Sequence, residues 1–295
     1  MKPIEECSIA VAGLGLMGGA IARALKALKP ERIIALDMDG ETIMAALGEG
    51  IIDEGYSLAA ETEAPGTVLP RADFVYLCLN PSTMLRFLER WMPAFKNGAL
   101  ITDIAGIKGN IVTAVEKTLR RDLDFIPGHP MAGAEKGGFE NSGLVNFRGK
   151  NYIITPLAQN RRENLSWLKN IIHRMGFGRI TETTAEEHDR KIAFTSQLCH
   201  VIAGALIDCE EDTAITRFGG GSFEDLTRIA MLNAPMWTEL FIENKTELLR
   251  RIEQFEGSLD AFKALINAGD ARALEERLSA VRERRVSMNT KEIVR

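Results

Sequence analysis

A single histidine stands inside a glycine-rich segment at residues 128–138, which reads GHPMAGAEKGG. His129 follows the apolar, strand-like run DFIPG and precedes Pro130, which stiffens the backbone behind it. Most lone histidines are surface or core residues, but this one is expected near the carboxyl edge of a sheet, where open α/β folds bind ligands. A neutral imidazole there can take a proton from a substrate hydroxyl. The segment therefore predicts a loop that holds His129 as a catalytic base.

A glycine-rich turn lies near the start of the chain, with the sequence Gly13-Leu14-Gly15-Leu16-Met17-Gly18. In such a turn between strand and helix, the first glycine permits the tight bend, the second lets a pyrophosphate approach the backbone, and the third lets the helix pack closely. The N–H groups of Leu16 and Met17 at the helix start are expected to bind phosphate. Asp37, placed to bind an adenosine ribose, predicts NAD rather than NADP. The alternative is that the turn is only a tight connection.

The rest of the chain supplies the elements that would position these residues. Short apolar runs alternate with amphipathic stretches as far as about Thr183, which predicts a parallel sheet with crossover helices. Thr184 and Glu187 then form a capping box, and only helical patterns follow. We predict an α/β fold with a Rossmann-type NAD-binding domain at residues 1–182, followed by an all-helical dimerisation domain at residues 183–295. These helices are too apolar to cover all their own faces, which predicts a homodimer.

Composition and charge narrow the function. The 295 residues carry a formal net charge of −5, which argues against a nucleic-acid partner, because phosphate binding needs a concentrated basic surface. No apolar run is long enough to span a membrane, and the acidic start MKPIEEC is not typical of a signal peptide. We therefore expect a cytoplasmic protein without a membrane partner. The four cysteines lie far apart without metal-ligand spacing, so we expect reduced thiols and no metal site.

Four stretches of the sequence resemble the prephenate/arogenate dehydrogenase family of tyrosine biosynthesis: GLGLMGGAIARAL, GHPMAGAEKGG, TSQLCHVIAGAL and FEDLTRIA, with the weaker PMWTELFIEN behind them. The resemblance implies an NAD-dependent oxidative decarboxylation of prephenate to 4-hydroxyphenylpyruvate, with His129 as the catalytic histidine. It also implies that Arg228 binds a substrate carboxylate and that four further residues contribute to the substrate site. These are Ser196, His200, Glu135 and Lys136.

Two positions depart from the family pattern, and several alternatives stay open. Gly106 stands where the family usually has a serine, and Cys199 stands where a proline is common. Arg228 could be a surface ion-pair residue, and His200 could be a packing residue. Arogenate is the alternative substrate. A β-hydroxyacid dehydrogenase and a non-catalytic NAD-binding protein are the alternative functions.

The remaining histidines and polar helix residues are expected to be structural. His173 and His188 match nothing in the family pattern, and we expect both to be exposed. Trp237 and Asn244 are interpreted as packing, capping or hinge residues of the helical domain. The ending near Arg295 leaves no room for an appended regulatory domain, so any feedback by tyrosine is expected to act at the active site itself.

Overall fold

Six parallel strands form the central sheet in the computed structural model, which describes residues 1–59, 63–134 and 136–290. The strands are β1 (Ser8–Ala12), β2 (Arg32–Asp37), β3 (Glu54–Ser57), β4 (Phe74–Leu77), β5 (Leu100–Asp103) and β6 (Asp124–Ile126). Their order is β3-β2-β1-β4-β5-β6, so the strand order reverses between β1 and β4. This order confirms the predicted Rossmann-type α/β fold, in which ligands bind beyond the carboxyl ends of the strands at the reversal.

Helices cover both faces of this sheet. They are α1 (Leu16–Ala27), α2 (Gly40–Gly48), α3 (Ala64–Val68), α4 (Pro81–Trp91), α5 (Gly109–Thr118) and α6 (Arg162–Arg174). Alternate residues of β1 enter two separate cores, Ile9 and Val11 on one face and Ala10 and Ala12 on the other. The strands read as continuous apolar runs because both of their faces are buried.

A second sheet of three strands begins immediately after β6. It consists of β7 (Gly128–Pro130), β8 (Asn151–Ile154) and β9 (Arg179–Glu182), with β7 antiparallel and β9 parallel to β8. The prediction of a loop over the whole segment 128–138 is therefore wrong for its first three residues. Pro127 has no N–H to continue the pairing of β6, and its carbonyl instead accepts a hydrogen bond from Thr155 N at 3.0 Å. The chain thus changes sheets at Pro127, and His129 pairs with Ile153.

Beyond Glu182 the described residues form helices without further strands, as predicted. The helices are α7 (Ala185–Ile192), α8 (Leu198–Asp208), α9 (Gly221–Thr227), α10 (Ala234–Glu243), α11 (Lys245–Ala268) and α12 (Ala271–Thr290). The predicted capping box is confirmed, because Thr184 Oγ1 accepts a hydrogen bond from Glu187 N at 3.1 Å. The helix that begins at this capping box is interrupted by a π-helical turn, Ala193–Gln197, which joins α7 to α8.

The chain divides into two compact units, Met1–Lys245 and Thr246–Arg295. All the residues discussed below as parts of the candidate site belong to the first unit. The second unit contains most of α11 and the whole of α12. The predicted domain boundary between residues 182 and 183 stays a prediction. Among the described residues, no helix combines the length and the apolar character that crossing a membrane requires.

Candidate active site

The glycine turn after β1 has the geometry that a bound dinucleotide needs. Gly13 has a φ of +91°, which side-chain-bearing residues rarely adopt, and a Cβ on Gly18 would lie only 1.9 Å from the carbonyl oxygen of Gly13. Gly15 differs, because a Cβ there would meet nothing within 4 Å. Gly13 and Gly18 must be glycines because the backbone of the turn leaves no room for a side chain at either position. Gly15 instead faces open space beside the first turn of α1. Leu16 and Met17 begin that helix, where backbone N–H groups have no intrahelical partner.

Asp37 ends β2 beside this turn. Its Oδ2 accepts a hydrogen bond from Leu14 N at 2.5 Å, and its Oδ1 accepts one from Asp39 N at 2.9 Å. The carboxylate is therefore fixed against the glycine turn and stays partly accessible. Asp39 caps α2, because its Oδ1 accepts a hydrogen bond from Glu41 N at 3.0 Å. The turn, the helix N-terminus and Asp37 together fit the phosphate and ribose groups of a dinucleotide.

His129 lies on β7 and contacts a second histidine, His188. The distance from His129 Nδ1 to His188 Nε2 is 2.9 Å, and that from His188 Nδ1 to Asp189 Oδ1 is 2.7 Å. His188 is 1% exposed, so the prediction that it is a surface residue is wrong. Its position four residues before the buried Ile192 on α7 is the sequence signal that could have placed it on the inner face. The three polar side chains form a continuous chain, His129, His188 and Asp189.

Asp189 is held at the beginning of α5. Its Oδ1 also accepts a hydrogen bond from Lys108 N at 2.8 Å, and its Oδ2 accepts one from Gly109 N at 2.7 Å. These backbone groups belong to the N-terminus of a helix, which favours a negative charge. The carboxylate therefore has a fixed orientation toward His188.

A buried ion pair lies beside this chain of residues. Lys108 Nζ donates to Asp103 Oδ2 at 2.6 Å and to the carbonyl of Ala105 at 2.8 Å, and both charged side chains are fully buried. The other carboxylate oxygen of Asp103 accepts from Gly128 N at 3.0 Å. The end of β5 is thus hydrogen-bonded to the residue directly before His129. The sequence analysis assigned no role to Asp103 or Lys108, because burial and pairing of these two side chains depend on the tertiary structure.

The surroundings favour neutral histidines. Burial lowers the pKa of His129 well below its ordinary value of 6.5, and His188 and Lys108 lower it further. Burial also lowers the pKa of His188, but the hydrogen bond to Asp189 opposes that effect. His129 retains a partly exposed surface, whereas His188 does not. A neutral imidazole at the edge of the site is suited to accept a proton.

Ser196 and His200 lie on the helical side of the site. Ser196 is in the π-helical turn, and its carbonyl accepts a hydrogen bond from His200 Nδ1 at 2.9 Å. The His200 ring packs on Trp237, with 3.7 Å between ring centroids, so Trp237 has a specific contact as well as a packing role. Burial lowers the pKa of His200. His200 therefore presents a neutral, partly exposed ring whose Nδ1 is already engaged.

Gly106 lies between His129 and α10. A Cβ on Gly106 would lie 3.9 Å from His129 Cε1 and 3.4 Å from Leu240 Cδ2, both ordinary contact distances. The carbonyl of Leu240 accepts a hydrogen bond from Gln197 Nε2 at 2.9 Å, and Gln197 directly follows Ser196. Through these contacts the structure brings the His129 strand and the Ser196 turn to the same region.

Asn244, which follows α10, connects the helices at this point. Its Nδ2 donates to the carbonyl of Asp189 at 3.0 Å and to Gln197 Oε1 at 2.7 Å, and it is 7% exposed. The residue is the C-cap of α10, in agreement with the capping interpretation. Its hydrogen bond to the carbonyl of Asp189 also connects α10 to α7, and this contact depends on how the helices pack.

Two further predicted substrate residues, Arg228 and Lys136, have exposed side chains. Arg228 begins a 3₁₀ turn that packs against α8, and its side chain is exposed. Lys136 is also exposed. Glu135 lies outside the described residues. The roles of these three residues stay predictions. Within the described part of the chain, no group of three or more histidine, cysteine, aspartate or glutamate side chains could hold a metal ion.

A Rossmann-type sheet with a glycine turn shaped for a dinucleotide is typical of a nucleotide-dependent oxidoreductase. The particular family follows from two family models that match nearly the whole chain. Residues 21–181 match the nucleotide-binding domain of prephenate dehydrogenase, and residues 184–280 match its dimerization domain. The chain therefore belongs to the prephenate dehydrogenase family, which decides against the β-hydroxyacid dehydrogenase alternative.

Individual relatives agree with this assignment. Prephenate dehydrogenase of Bacillus subtilis is 30% identical over 273 residues, which cover 90% of this chain and 72% of that protein. The crystal structure of prephenate dehydrogenase from A. aeolicus, in complex with hydroxyphenyl propionate and NAD⁺, is similar with a TM-score of 0.83 and 30% identity, covering 96% of this chain and 98% of that one. Arogenate dehydrogenase of Synechocystis is similar with a TM-score of 0.77 and 25% identity, covering 95% and 99%.

Proposed function

We propose that this chain catalyses the NAD-dependent oxidative decarboxylation of prephenate to 4-hydroxyphenylpyruvate, a step of tyrosine biosynthesis. The observation that carries the proposal is His129, a neutral and partly exposed imidazole beside the helical side of the site. Membership of the family and the similarity to the A. aeolicus enzyme with NAD⁺ support it. Cytoplasmic location stays a prediction from the sequence.

NAD is the cofactor, and its nicotinamide supplies the acceptor of a hydride from the substrate ring. The glycine turn with Leu16 and Met17 would hold the phosphates, and Gly15 leaves the space for them. Asp37 would accept hydrogen bonds from the adenosine ribose and would repel a 2′-phosphate, which favours NAD over NADP. This fit rests on the geometry of the turn and on the fixed carboxylate.

His129 performs the proton transfer in this scheme. As the ring carbon that bears the hydroxyl group loses its hydride, the neutral imidazole takes the hydroxyl proton. The ring carboxylate then leaves as CO₂, the electron pair of the broken C–C bond completes the aromatic ring, and the ring oxygen takes the proton back from His129 to form the hydroxyl group of the product. A histidine that stays neutral at physiological pH is able to start this sequence without first losing a proton.

The substrate is held by groups on the helical side. We assign Arg228 to a substrate carboxylate and place Ser196, His200, Glu135 and Lys136 around the same substrate. The similarity to the Synechocystis arogenate dehydrogenase keeps arogenate as a second candidate substrate. The two substrates differ in an amino or keto group on the side chain, and the described contacts of His129 are equally suited to either.

The active form proposed here is a homodimer built through the helical domain. Large apolar side chains of this domain are exposed, among them Phe218 at 85% and Met231 at 71%. Burying such side chains against a second copy removes apolar surface from water. The match of residues 184–280 to a dimerization domain supports this assignment.

One set of assays tests the proposed function. The purified protein is incubated with NAD⁺ or NADP⁺ and with prephenate or arogenate, and the reduced cofactor, CO₂ and the aromatic product are measured. Equal amounts of NADH, CO₂ and 4-hydroxyphenylpyruvate from prephenate are the expected result. A higher kcat/KM with arogenate would reassign the substrate. No turnover with either substrate would favour the non-catalytic alternative, and better turnover with NADP⁺ would contradict the role of Asp37.

A further inference from the structure

We propose that His188 and Asp189 are positioning residues that fix the protonation pattern of His129, and that His188 accepts the proton of His129 Nδ1 when His129 Nε2 takes one from the substrate. His129 would then be the entry point of a relay of three side chains in which the charge comes to rest on His188. The proposal deepens the proposed function and rests on it for the identity of the substrate. It rests on geometry for the direction of proton transfer.

The hydrogen-bond directions follow from the end of the relay. An ionised carboxylate only accepts hydrogen bonds, so Asp189 Oδ1 at 2.7 Å requires a proton on His188 Nδ1. In a neutral His188 the other nitrogen, Nε2, is then an acceptor. Because this nitrogen lies 2.9 Å from His129 Nδ1, the proton between the rings belongs to His129 Nδ1. His129 Nε2 is consequently left with a free electron pair, which is what a general base needs.

Asp189 is well suited to anchor this pattern. Two backbone N–H groups, those of Lys108 and Gly109, hold its two oxygens and leave Oδ1 directed at His188 as well. Rotation of the carboxylate would break both of these bonds. The His188 ring is 1% exposed, so water does not compete for its nitrogens. The order of donors and acceptors is therefore set by the fold.

The charges around the two rings favour His188 as the final site of the proton. The groups that face the pair are Lys108 and Asp103 from the β5–α5 segment and Asp189 from α7, while Leu240 of α10 contributes only apolar atoms near Gly106. Lys108 is paired with Asp103, and its positive charge disfavours a proton on both rings, whereas the charge of Asp103 favours a proton on His188. Asp189 remains as a negative charge directly at His188. Burial lowers the pKa of both histidines. Asp189 raises the pKa of His188, whereas no carboxylate of the described residues raises the pKa of His129.

The proton transfers balance along the relay. The substrate O–H bond breaks and an N–H bond forms at His129 Nε2. The N–H bond at His129 Nδ1 breaks and an N–H bond forms at His188 Nε2. The charge then lies on a His188 imidazolium that is paired with the Asp189 carboxylate, and Asp189 is not protonated. Loss of CO₂ leaves the ring oxygen as a phenolate, and the same steps then run in reverse, so that His129 Nε2 returns the proton to this oxygen and both rings regain their starting protonation.

Two substitutions of His188 separate positioning from simple packing. In His188→Gln, the amide oxygen can accept from His129 Nδ1 while the amide nitrogen donates to Asp189, so the protonation pattern of His129 is kept. In His188→Leu, neither bond is possible. His173, an exposed histidine of α6, supplies the matched control His173→Gln. For each protein we would measure kcat, both KM values and melting temperature.

We expect kcat of His188→Leu to fall at least about tenfold, with both KM values nearly unchanged, because the effect is on the reacting proton. His188→Gln is expected to recover part of this loss, and His173→Gln to match the wild type. Equal kcat in all four proteins would overturn the proposal. Equal losses in the Gln and Leu variants would also contradict it, because packing alone would then explain the effect.

A measurement on the free protein tests the proposed protonation pattern without any turnover of substrate. Nitrogen-15 NMR of the histidine rings distinguishes protonated from unprotonated nitrogens. In the wild type we expect a protonated Nδ1 and an unprotonated Nε2 on His129, and a mixture of both forms in His188→Leu. The opposite form of His129 in the wild type would refute the relay, even if both variants failed to fold. An absence of turnover with prephenate and arogenate would instead refute the proposed function and leave this measurement decisive.

Discussion

At the scale of single residues, the proposed mechanism depends on His129, whose environment favours the neutral imidazole. Burial and the nearby positive charge of Lys108 lower the pKa of His129, and the partner His188 lowers it further. Burial disfavours the charged imidazolium, because the protein interior solvates a charge poorly. The arrangement is understandable if the ring is there to accept a proton.

Replacing His129 by asparagine tests this directly. Asparagine keeps a polar group that can bond to His188 but cannot take a proton at neutral pH. We expect kcat to fall by about 10²- to 10⁴-fold, the range for a lost general base, while NAD⁺ affinity measured by calorimetry stays within about twofold. Near-wild-type turnover at saturating prephenate would remove His129 from the mechanism.

The pH dependence of kcat/KM has a defined sign. Protonated His129 cannot accept the substrate proton, so activity falls as the pH drops through the pKa of this residue in the free enzyme. Because that pKa lies well below 6.5, we expect constant activity through neutral pH and an acid limb that begins below 6.5. The residual activity of His129→Asn should lack this limb. An acid limb centred above 6.5 would contradict the lowered pKa.

Gly106 offers a gain rather than a loss. A Cβ at this position would lie 3.4 Å from Leu240 and 3.9 Å from His129 Cε1, which are ordinary contact distances, and a serine would add a hydroxyl near His129. We expect Gly106→Ser to keep the melting temperature and to have kcat equal to or above the wild type. Gly106→Ala is the control that adds the same carbon without the hydroxyl. A large loss in the serine variant alone would contradict the proposed position of the substrate.

At the scale of elements, the first β-turn-α unit separates residues needed for folding from residues needed for the ligand. Gly18 must lack a side chain because the Gly13 carbonyl would be only 1.9 Å from its Cβ. Gly15 has φ −62° and ψ −163°, an extended conformation open to any residue, and its Cβ would meet no protein atom within 4 Å. Gly15 and Gly18 belong to the same turn, but they lack a side chain for different physical reasons.

Paired alanine substitutions test that separation. Gly15→Ala is expected to keep the melting temperature and to raise the KM for NAD⁺ about tenfold or more, because the added methyl group occupies the space of the phosphates. Gly18→Ala is expected to lower stability by about 1–3 kcal/mol through overpacking against Gly13. Calorimetric unfolding and NAD⁺ titration measure the two effects. Loss of stability in Gly15→Ala would show that this glycine also serves the fold.

At the scale of the whole molecule, the exposed apolar side chains of the helical domain predict association. Met231 in this domain is 71% exposed, and Met44 on α2 of the nucleotide-binding domain is 68% exposed. The two residues form a matched pair, since they have the same side chain and nearly the same exposure. They differ in the domain on which they lie.

Light scattering at micromolar concentration is expected to give twice the chain mass of 32.6 kDa. Met231→Asp should shift the mass toward the monomer, because burying a charge in an apolar interface is unfavourable. Met44→Asp should leave the dimer intact. A monomeric wild type would contradict the predicted homodimer, and equal behaviour of the two variants would exclude Met231 from the interface.

The sequence by itself determined the features that depend on local chemistry and on periodicity. The glycine turn, Asp37 at the end of β2, the capping box at Thr184 and the change from mixed to helical structure after Glu182 all follow from short-range rules. His129 was found for the same reason, because its glycine-rich segment and its position after an apolar run are visible in one window of sequence.

Only the tertiary structure decided which distant residues support that histidine. His188 and Asp189 lie about sixty residues further along the chain, and the pairing of β7 with β8 together with the packing of α7 on α5 brings them to His129. The Asp103–Lys108 pair and the Gln197–Asn244 contact are likewise set by burial, which a sequence pattern does not report for polar residues. The physical reason is that a buried polar group needs a partner, and the identity of that partner is fixed by the packing of whole elements rather than by neighbouring residues.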